Sequence, residues 1–293
     1  MDFFKKLFAR KPKIERVDIA KRFELLARTG QGSMSKVWRA KDYMSGRVVA
    51  LKLLDIDKTK RFEARFVGIR VKKPSEGEVA IQLKHPHIVQ TFEHGITTNN
   101  EQYLVMEFVE GVGLSYLIDL QNDVMKQNRL RFVIELGEAI EYFHRQNWIH
   151  RDLCPRNVLL DRQWSIKLID FGLVVPNTEP FQLPGNRTGT ANYMAPELIK
   201  RMRTDQRIDI FSYAVMCYEM YARRLPWDAA ETLEAVMQHI NRPPLDLIKV
   251  AKGIDPQVSE TIMRGLAVRP DDRWQTMGQM LEQFREAYER LSK

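Results

Sequence analysis

The residues able to do chemistry fall in a few short stretches. His150-Arg151-Asp152-Leu153-Cys154-Pro155-Arg156-Asn157 sets an acid, a cation and an amide within eight positions. Asp152 can orient and deprotonate a hydroxyl, and Asn157 can offer its amide oxygen to a hard cation. Thirteen residues beyond Asn157, the run IKLID ends in Asp170-Phe171-Gly172. A carboxylate released from a strand end by glycine suits magnesium. Each piece alone also reads as a loop acid or a helix cap; the two in this order and spacing do not. Upstream, Gly30-Gln31-Gly32-Ser33-Met34-Ser35-Lys36-Val37 lies between two expected strands. Glycines there let peptide N–H groups approach phosphate oxygens, although a plain hairpin turn uses them too. On the apolar run Val49-Ala50-Leu51-Lys52, the lysine must either snorkel to solvent or meet an anion.

The elements that would position these residues change character along the chain. FELLA, KVWRAKD, RVVALKLL, HPHIVQTFEHG and QYLVMEFVEG read as strands. Asp55–Lys73 is charged and carries no clear period. PSEGEVAIQL opens a helix, with Ser75 and Glu78 at capping-box spacing. After Gly111 the pattern turns helical: RLRFVIELGEAIEYFHR, then short strands at NVLL and IKLID, then IDIFSYAVMCYEMYA, TLEAVMQHI, VSETIMRGL and MGQMLEQFREAYERL. Because a strand follows the glycine pair, a Rossmann turn is excluded, and no Gly-Lys-Ser/Thr makes it a Walker loop. The expected organisation is a basic tail over 1–22, a strand-rich lobe over 23–110 and a larger helical lobe over 111–291.

The chain has 293 residues, 44% apolar and 29% charged, which fits an ordinary globular protein of one large domain or two lobes. Lys and Arg total 46 against 38 Asp and Glu, a net charge of +8 that favours anionic partners without naming one. Two cysteines, Cys154 and Cys217, are too few for a disulfide framework, which points to a reducing, cytoplasmic setting. No apolar run approaches the ~18 residues of a transmembrane helix, and the start lacks a secretory h-region. Phe3, Phe4, Leu7 and Phe8, interleaved with Lys5, Lys6 and Arg10, make residues 1–13 a short amphipathic patch for an anionic membrane or a partner. A tail that frays or docks on its own domain is the plainer alternative. No nucleic-acid-reading module is present.

Five motifs in order carry a resemblance: GQGSMSKV, VALK, HRDLCPRN, DFG and MAPE. The chain resembles the eukaryotic-type, or Hanks-type, serine/threonine protein kinases, also common in bacteria, over about Phe23 to Leu291. The resemblance implies an α+β, bilobal kinase fold, with a small β-rich N-lobe holding one main helix and a larger, mainly α-helical C-lobe. It implies ATP and Mg²⁺ as cofactors and protein Ser/Thr hydroxyls as acceptors, including autophosphorylation. Gly30, Gly32 and Ser35 would cover the phosphates. Lys52 would hold the α- and β-phosphates and pair with a glutamate of the first helix; family spacing favours Glu76 and leaves Glu78 to the cap. Asp152 would accept the substrate proton, with Asn157 and Asp170 on the metal. Met106, then Glu107 to Val109, would be gatekeeper and hinge, with Val37, Ala50 and Leu159 walling the adenine. Glu197 would pair with Arg273, and Asp209 would brace the catalytic loop. GTANY resembles the GTxxY of Ser/Thr kinases, and Arg151 could order the loop through a phosphate on Thr188.

One position departs from the pattern. Ser/Thr kinases usually place a lysine two residues after the catalytic Asp, on the γ-phosphate; this chain has Cys154. Arg156 stands where many tyrosine kinases keep an arginine that substitutes, and would take over the contact. The alternative is a nucleotide-binding pseudokinase or scaffold of weak activity. A reactive thiol is a further reading, if Arg151 and Arg156 lower the Cys154 pKa.

Overall fold

In the computed structural model, the described residues are 16–31, 35–64, 73–185, 187–228 and 236–293. The tail patch 1–13, Gly32 and residues 232–235 of the TLEAVMQHI segment lie outside them. The chain forms two compact units, one made of 1–61 with 91–108 and the other of 62–90 with 109–293. The division expected from composition differs in two places. Residues 16–22, assigned to the tail, are folded into the first unit. Residues 73–90, assigned to the strand-rich lobe, group with the helical part. There Val89 N–H donates to Leu168 O (2.9 Å), Leu168 N–H donates to His87 O (2.9 Å), and Lys84 N–H donates to the Tyr142 hydroxyl (3.0 Å).

The first unit is a six-stranded sheet of order β1-β5-β6-β4-β3-β2. Its elements are β1 (Arg16–Val17), α1 (Ile19–Arg22), β2 (Phe23–Gln31), β3 (Ser35–Asp42), β4 (Val48–Leu54), β5 (Thr91–Thr97) and β6 (Gln102–Glu107). β1 runs parallel to β5, and every other pair is antiparallel. Alternation decides the faces, since residues two apart share one. Phe23, Ala40, Val49, Leu51, Tyr103 and Val105 form one cluster, with Val17, Ile19, Trp38 and Leu53 against it. The expected strand over HPHIVQTFEHG begins only at Thr91. Pro86 keeps the preceding residues in turns, and Ile88 bridges to Leu168 instead. After β4 the charged stretch with no clear period forms α2 (Ile56–Glu63), whose buried side chain is Phe62.

Arg22 ties the N-terminal segment down. Its guanidinium donates to Glu93 at 2.6 and 2.7 Å and to Asp42 at 3.1 and 3.4 Å, and Tyr103 donates to Glu93 Oε1 at 2.6 Å. The Arg22 hydrogen bond lowers the Glu93 pKa against some burial; burial raises Asp42, but bonds from Arg22, Ser45 and Met44 N–H overcome it. A carboxylate lowered on folding stabilises above its unfolded pKa, about 4, and that gain is lost as pH falls through the lowered folded value. Arg22→Ala is therefore expected to flatten the acid limb of stability. Urea unfolding at pH 6, 4 and 3 measures this; an unchanged difference between pH 6 and pH 3 would refute it.

The second unit is mainly helical. It begins with α3 (Glu76–Ala80), where the expected capping box is present: Ser75 N–H donates to Glu78 Oε2 (2.7 Å), and Glu78 N–H donates to Ser75 Oγ (3.3 Å). β7 (Gly111–Gly113), α4 (Leu114–Leu120), α5 (Asp123–Arg145), β8 (Trp148–Ile149), β9 (Val158–Asp161), β10 (Ile166–Leu168) and β11 (Val175–Pro176) follow. They form a three-stranded sheet β10-β9-β7 and a two-stranded pair β11-β8. Then come α6 (Glu179–Gln182), α7 (Pro196–Ile199), α8 (Arg207–Ala222), α9 (Gln238–Asn241), α10 (Leu247–Val250), α11 (Pro256–Gly265) and α12 (Met277–Leu291). α8 buries residues all round, from Ile208 to Met220, as a central helix must. Gly137 on α5 lets two helices close on it: an added Cβ would sit 2.5 Å from Leu281 and 2.9 Å from the Tyr213 hydroxyl. No helix among the described residues is long and apolar enough to cross a membrane.

Candidate active site

In the first unit, register places the candidate residues together. Val37 pairs with Lys52, Lys52 with Leu104, and Ala50 with Met106. Paired residues share a face, so Val37, Ala50, Lys52, Leu104 and Met106 lie on the side opposite the Phe23–Val105 cluster. Ser35 joins them by its two-residue spacing from Val37. Lys52 is 4% exposed, so the snorkelling alternative is ruled out. Gly30 pairs with Val37 next to a bulge between Arg28 and Gly30. Glu107 ends β6 opposite Val49, and the chain passes to the second unit after Phe108, so Val109 opens that unit.

In the second unit, the residues 150–157 leave β8 and are held from α8. Asp209 accepts from His150 N–H (2.7 Å) and Arg151 N–H (2.9 Å), and its Oδ2 lies 3.0 Å from His144 Nε2. Burial would raise Asp209, but the His144 contact and the His150 N–H hold it below the usual carboxylate range. Burial lowers the His150 pKa, so this imidazole is neutral, and its Nδ1 faces Asp152 N–H at 3.4 Å. Arg151 sits at φ +70° and Asp170 at φ +71°, a left-handed backbone uncommon outside glycine and frequent at functional sites. The Arg151 guanidinium is buried, which pushes its pKa down to about 10, and Nη1 lies 3.5 Å from Phe181 O. Thr188 is half-buried two residues before Thr190.

Around Asp152 the geometry is tight. Thr190 donates to Oδ1 twice, through N–H and Oγ–H, each at 2.8 Å. Asn157 Nδ2 donates to Asp152 O (2.8 Å) and faces Oδ2 (3.3 Å). Gly189 permits this approach: its φ is +134°, and a Cβ there would lie 2.7 Å from Arg151 O. Ile169 N–H donates to Asn157 O (2.9 Å), which brings the strand end at Asp170 beside Asn157. A Cβ placed on Gly172 would sit 3.3 Å from Glu76 Oε2 and 3.4 Å from Asp170 Oδ1. Asp152, Asn157, Asp170 and Glu76 are thus drawn together, and Leu159 lies on β9 between Gly113 and Lys167. Glu78 is taken by its cap, as expected.

The donor set fits a magnesium ion. Asn157 commits its Nδ2 to Asp152, which leaves Oδ1 as the amide oxygen to offer, and Asp170 supplies a carboxylate. No cluster of three or more His, Cys, Asp or Glu suited to a metal exists among the described residues. A metal held partly by substrate phosphates needs only one or two protein oxygens.

Cys154 is 2% exposed. Burial and the Asp152 charge raise its pKa, outweighing the Thr190 hydroxyl and Arg156, which is the opposite of the lowering a reactive thiol needs. The Arg156 side chain is exposed and makes no hydrogen bond among the described residues. Sequence reasoning placed Thr190 in its motif but missed its hold on Asp152; the GTANY pattern was the available signal. The expected Glu197–Arg273 pair and the Asp209 brace are both present.

A sheet with a basic strand and a helical unit with an anchored acid, an amide and a second acid define a protein-kinase fold. The protein kinase domain family matches residues 23–284. The chain is 31% identical over 267 residues to a "Probable serine/threonine-protein kinase" of Streptomyces coelicolor, covering 88% of this chain and 39% of that protein. It is 30% identical over 253 residues to one of Bifidobacterium longum, covering 86% and 33%. To the serine/threonine-protein kinase PknB of Mycolicibacterium smegmatis it is 28% identical over 272 residues, covering 89% and 42%. The chain therefore belongs to the protein kinase domain family, and it spans well under half the length of these relatives.

Proposed function

We propose that the chain transfers the γ-phosphoryl group of ATP to Ser and Thr hydroxyls of proteins. The observation that carries this reading is Asp152, fixed at Oδ1 by Thr190 of the GTANY segment with Asn157 and Asp170 beside it. Asp152 orients the acceptor hydroxyl and takes its proton as the new P–O bond forms. Lys52 holds the α- and β-phosphates, and Gly30 on β2 and Ser35 on β3 cover them. Val37, Ala50 and Met106, on one face of the first unit's sheet, with Glu107 at the end of β6, receive the adenine. Asn157 and Asp170 would hold magnesium, which neutralises charge on the transferring phosphoryl. The test is incubation with γ-labelled ATP and a generic basic protein, followed by phosphoamino-acid analysis. Label on serine or threonine supports the reading. Label confined to tyrosine, or none, overturns it, and absent label with retained ATP binding favours the scaffold reading motivated by Cys154.

Arg156 supplies the γ-phosphate contact that Cys154 cannot. Its exposed guanidinium is uncommitted among the described residues, and it sits close enough to Cys154 and Tyr193 to influence both electrostatically. Contacts on a transferring phosphoryl are worth about 3 kcal/mol, so Arg156→Ala is expected to slow transfer about 100-fold with ATP binding retained. Intact transfer in Arg156→Ala would show that the contact is made elsewhere.

A further inference from the structure

The contact between Cys154 Sγ and Thr190 Oγ1 is 3.6 Å. The Thr190 hydroxyl has one proton, and the 2.8 Å bond to the Asp152 carboxylate takes it, being the shorter and charge-assisted partner. Thr190 Oγ1 is then the acceptor at the sulfur contact, and the thiol must be the donor. A cysteine thiol carries one S–H, a weak donor, to give. Two bonds are ordered in one direction: Cys154 S–H to Thr190 Oγ1, and Thr190 O–H to Asp152 Oδ1.

We propose that Cys154 is a positioning residue for the proton acceptor, acting through Thr190: its S–H fixes the direction of the Thr190 hydroxyl, which holds Asp152 Oδ1 and leaves Oδ2 for the substrate alcohol. This rests on the reading of Asp152 as the base. The residue that replaces the usual lysine is on this account a working part of the site.

Single-turnover phosphoryl transfer tests it. A neutral hydrogen bond of this kind carries about a three- to tenfold effect. Cys154→Ala is expected to lower kcat by that factor with the KM for ATP unchanged and the thermal midpoint close to that of the unmutated protein. Cys154→Ser, which keeps a donor, recovers most of the loss; Cys154→Val, which keeps volume without a donor, does not. In a Thr190→Val background, Cys154→Ala has no further effect, because the group it acts through is gone. Equal losses from Cys154→Ala in both backgrounds overturn the proposal, as does a Ser variant no better than Ala, or no loss at all. Asp152→Asn, measured alongside, separates the two layers: if it retains transfer, the base assignment falls and the positioning role falls with it. If it is inactive while the Cys154 variants match the unmutated protein, only the positioning role falls.

Discussion

Asp152→Asn is expected to lower kcat by about 10²–10⁴-fold while the protein keeps its fold. Asparagine has the same shape, and its carbonyl oxygen can still accept the two Thr190 donors at 2.8 Å. The other branch becomes an NH₂ facing the Asn157 amide, which is itself a donor at 3.3 Å, and a neutral amide cannot take up the acceptor proton. The loss therefore falls on the chemical step rather than on binding. Single-turnover transfer and ATP affinity, measured together, check it: a large fall in rate with near-normal ATP binding is expected. A rate within threefold of the unmutated protein would remove Asp152 from the mechanism. The neighbouring anchors make the comparison clean, because Asp209 and His150 hold the backbone of this loop independently of the Asp152 carboxylate.

The second large effect is on stability. Arg273 is 0% exposed and makes two 2.7 Å bonds to Glu197, with further donation to the carbonyls of Ala267 (2.7 Å), Val268 (3.0 Å) and Arg207 (3.2 Å). Removing one member of such a pair strands the other charge away from water, which costs about 3–5 kcal/mol. Glu197→Ala is expected to lower the melting temperature by roughly 6–20 °C, given 2–4 °C per kcal/mol for a unit of this size. Replacing both with apolar residues, Glu197→Leu with Arg273→Met, is expected to recover part of the loss despite the orphaned carbonyls. Thermal unfolding of the three variants checks this. A single variant as stable as the unmutated protein would mean that water reaches the guanidinium.

Much of the site was legible because its residues are close neighbours in the chain. The catalytic-loop stretch from His150 to Asn157, the Asp170-Phe171-Gly172 end and the Ser75–Glu78 cap each declare themselves through local spacing. So do the long helices, whose apolar period needs no partner to be seen. The misjudged elements lacked such a pattern. β1 is two residues long and exists only because the edge of β5 pairs with it. α2 has five charged residues among its eight, with Phe62 as its buried side chain. His85–Gln90 has a strand-like composition, yet its backbone is claimed by Leu168.

The sequence by itself determined the kinase pattern: which residues can take a proton, hold a cation and meet a phosphate, and that a cysteine stands at a lysine position. Those are facts of residue type and order, and local chemistry is enough to read them. Only the tertiary structure decided what that cysteine does. Thr190 is 38 residues from Asp152 and 36 from Cys154, and Asp209 reaches His150 across 59. Packing around α8 and the close approach at Gly189 bring these groups within hydrogen-bond distance. The Asp152 carboxylate takes the one proton of the Thr190 hydroxyl, and that sets the direction of the bond to sulfur.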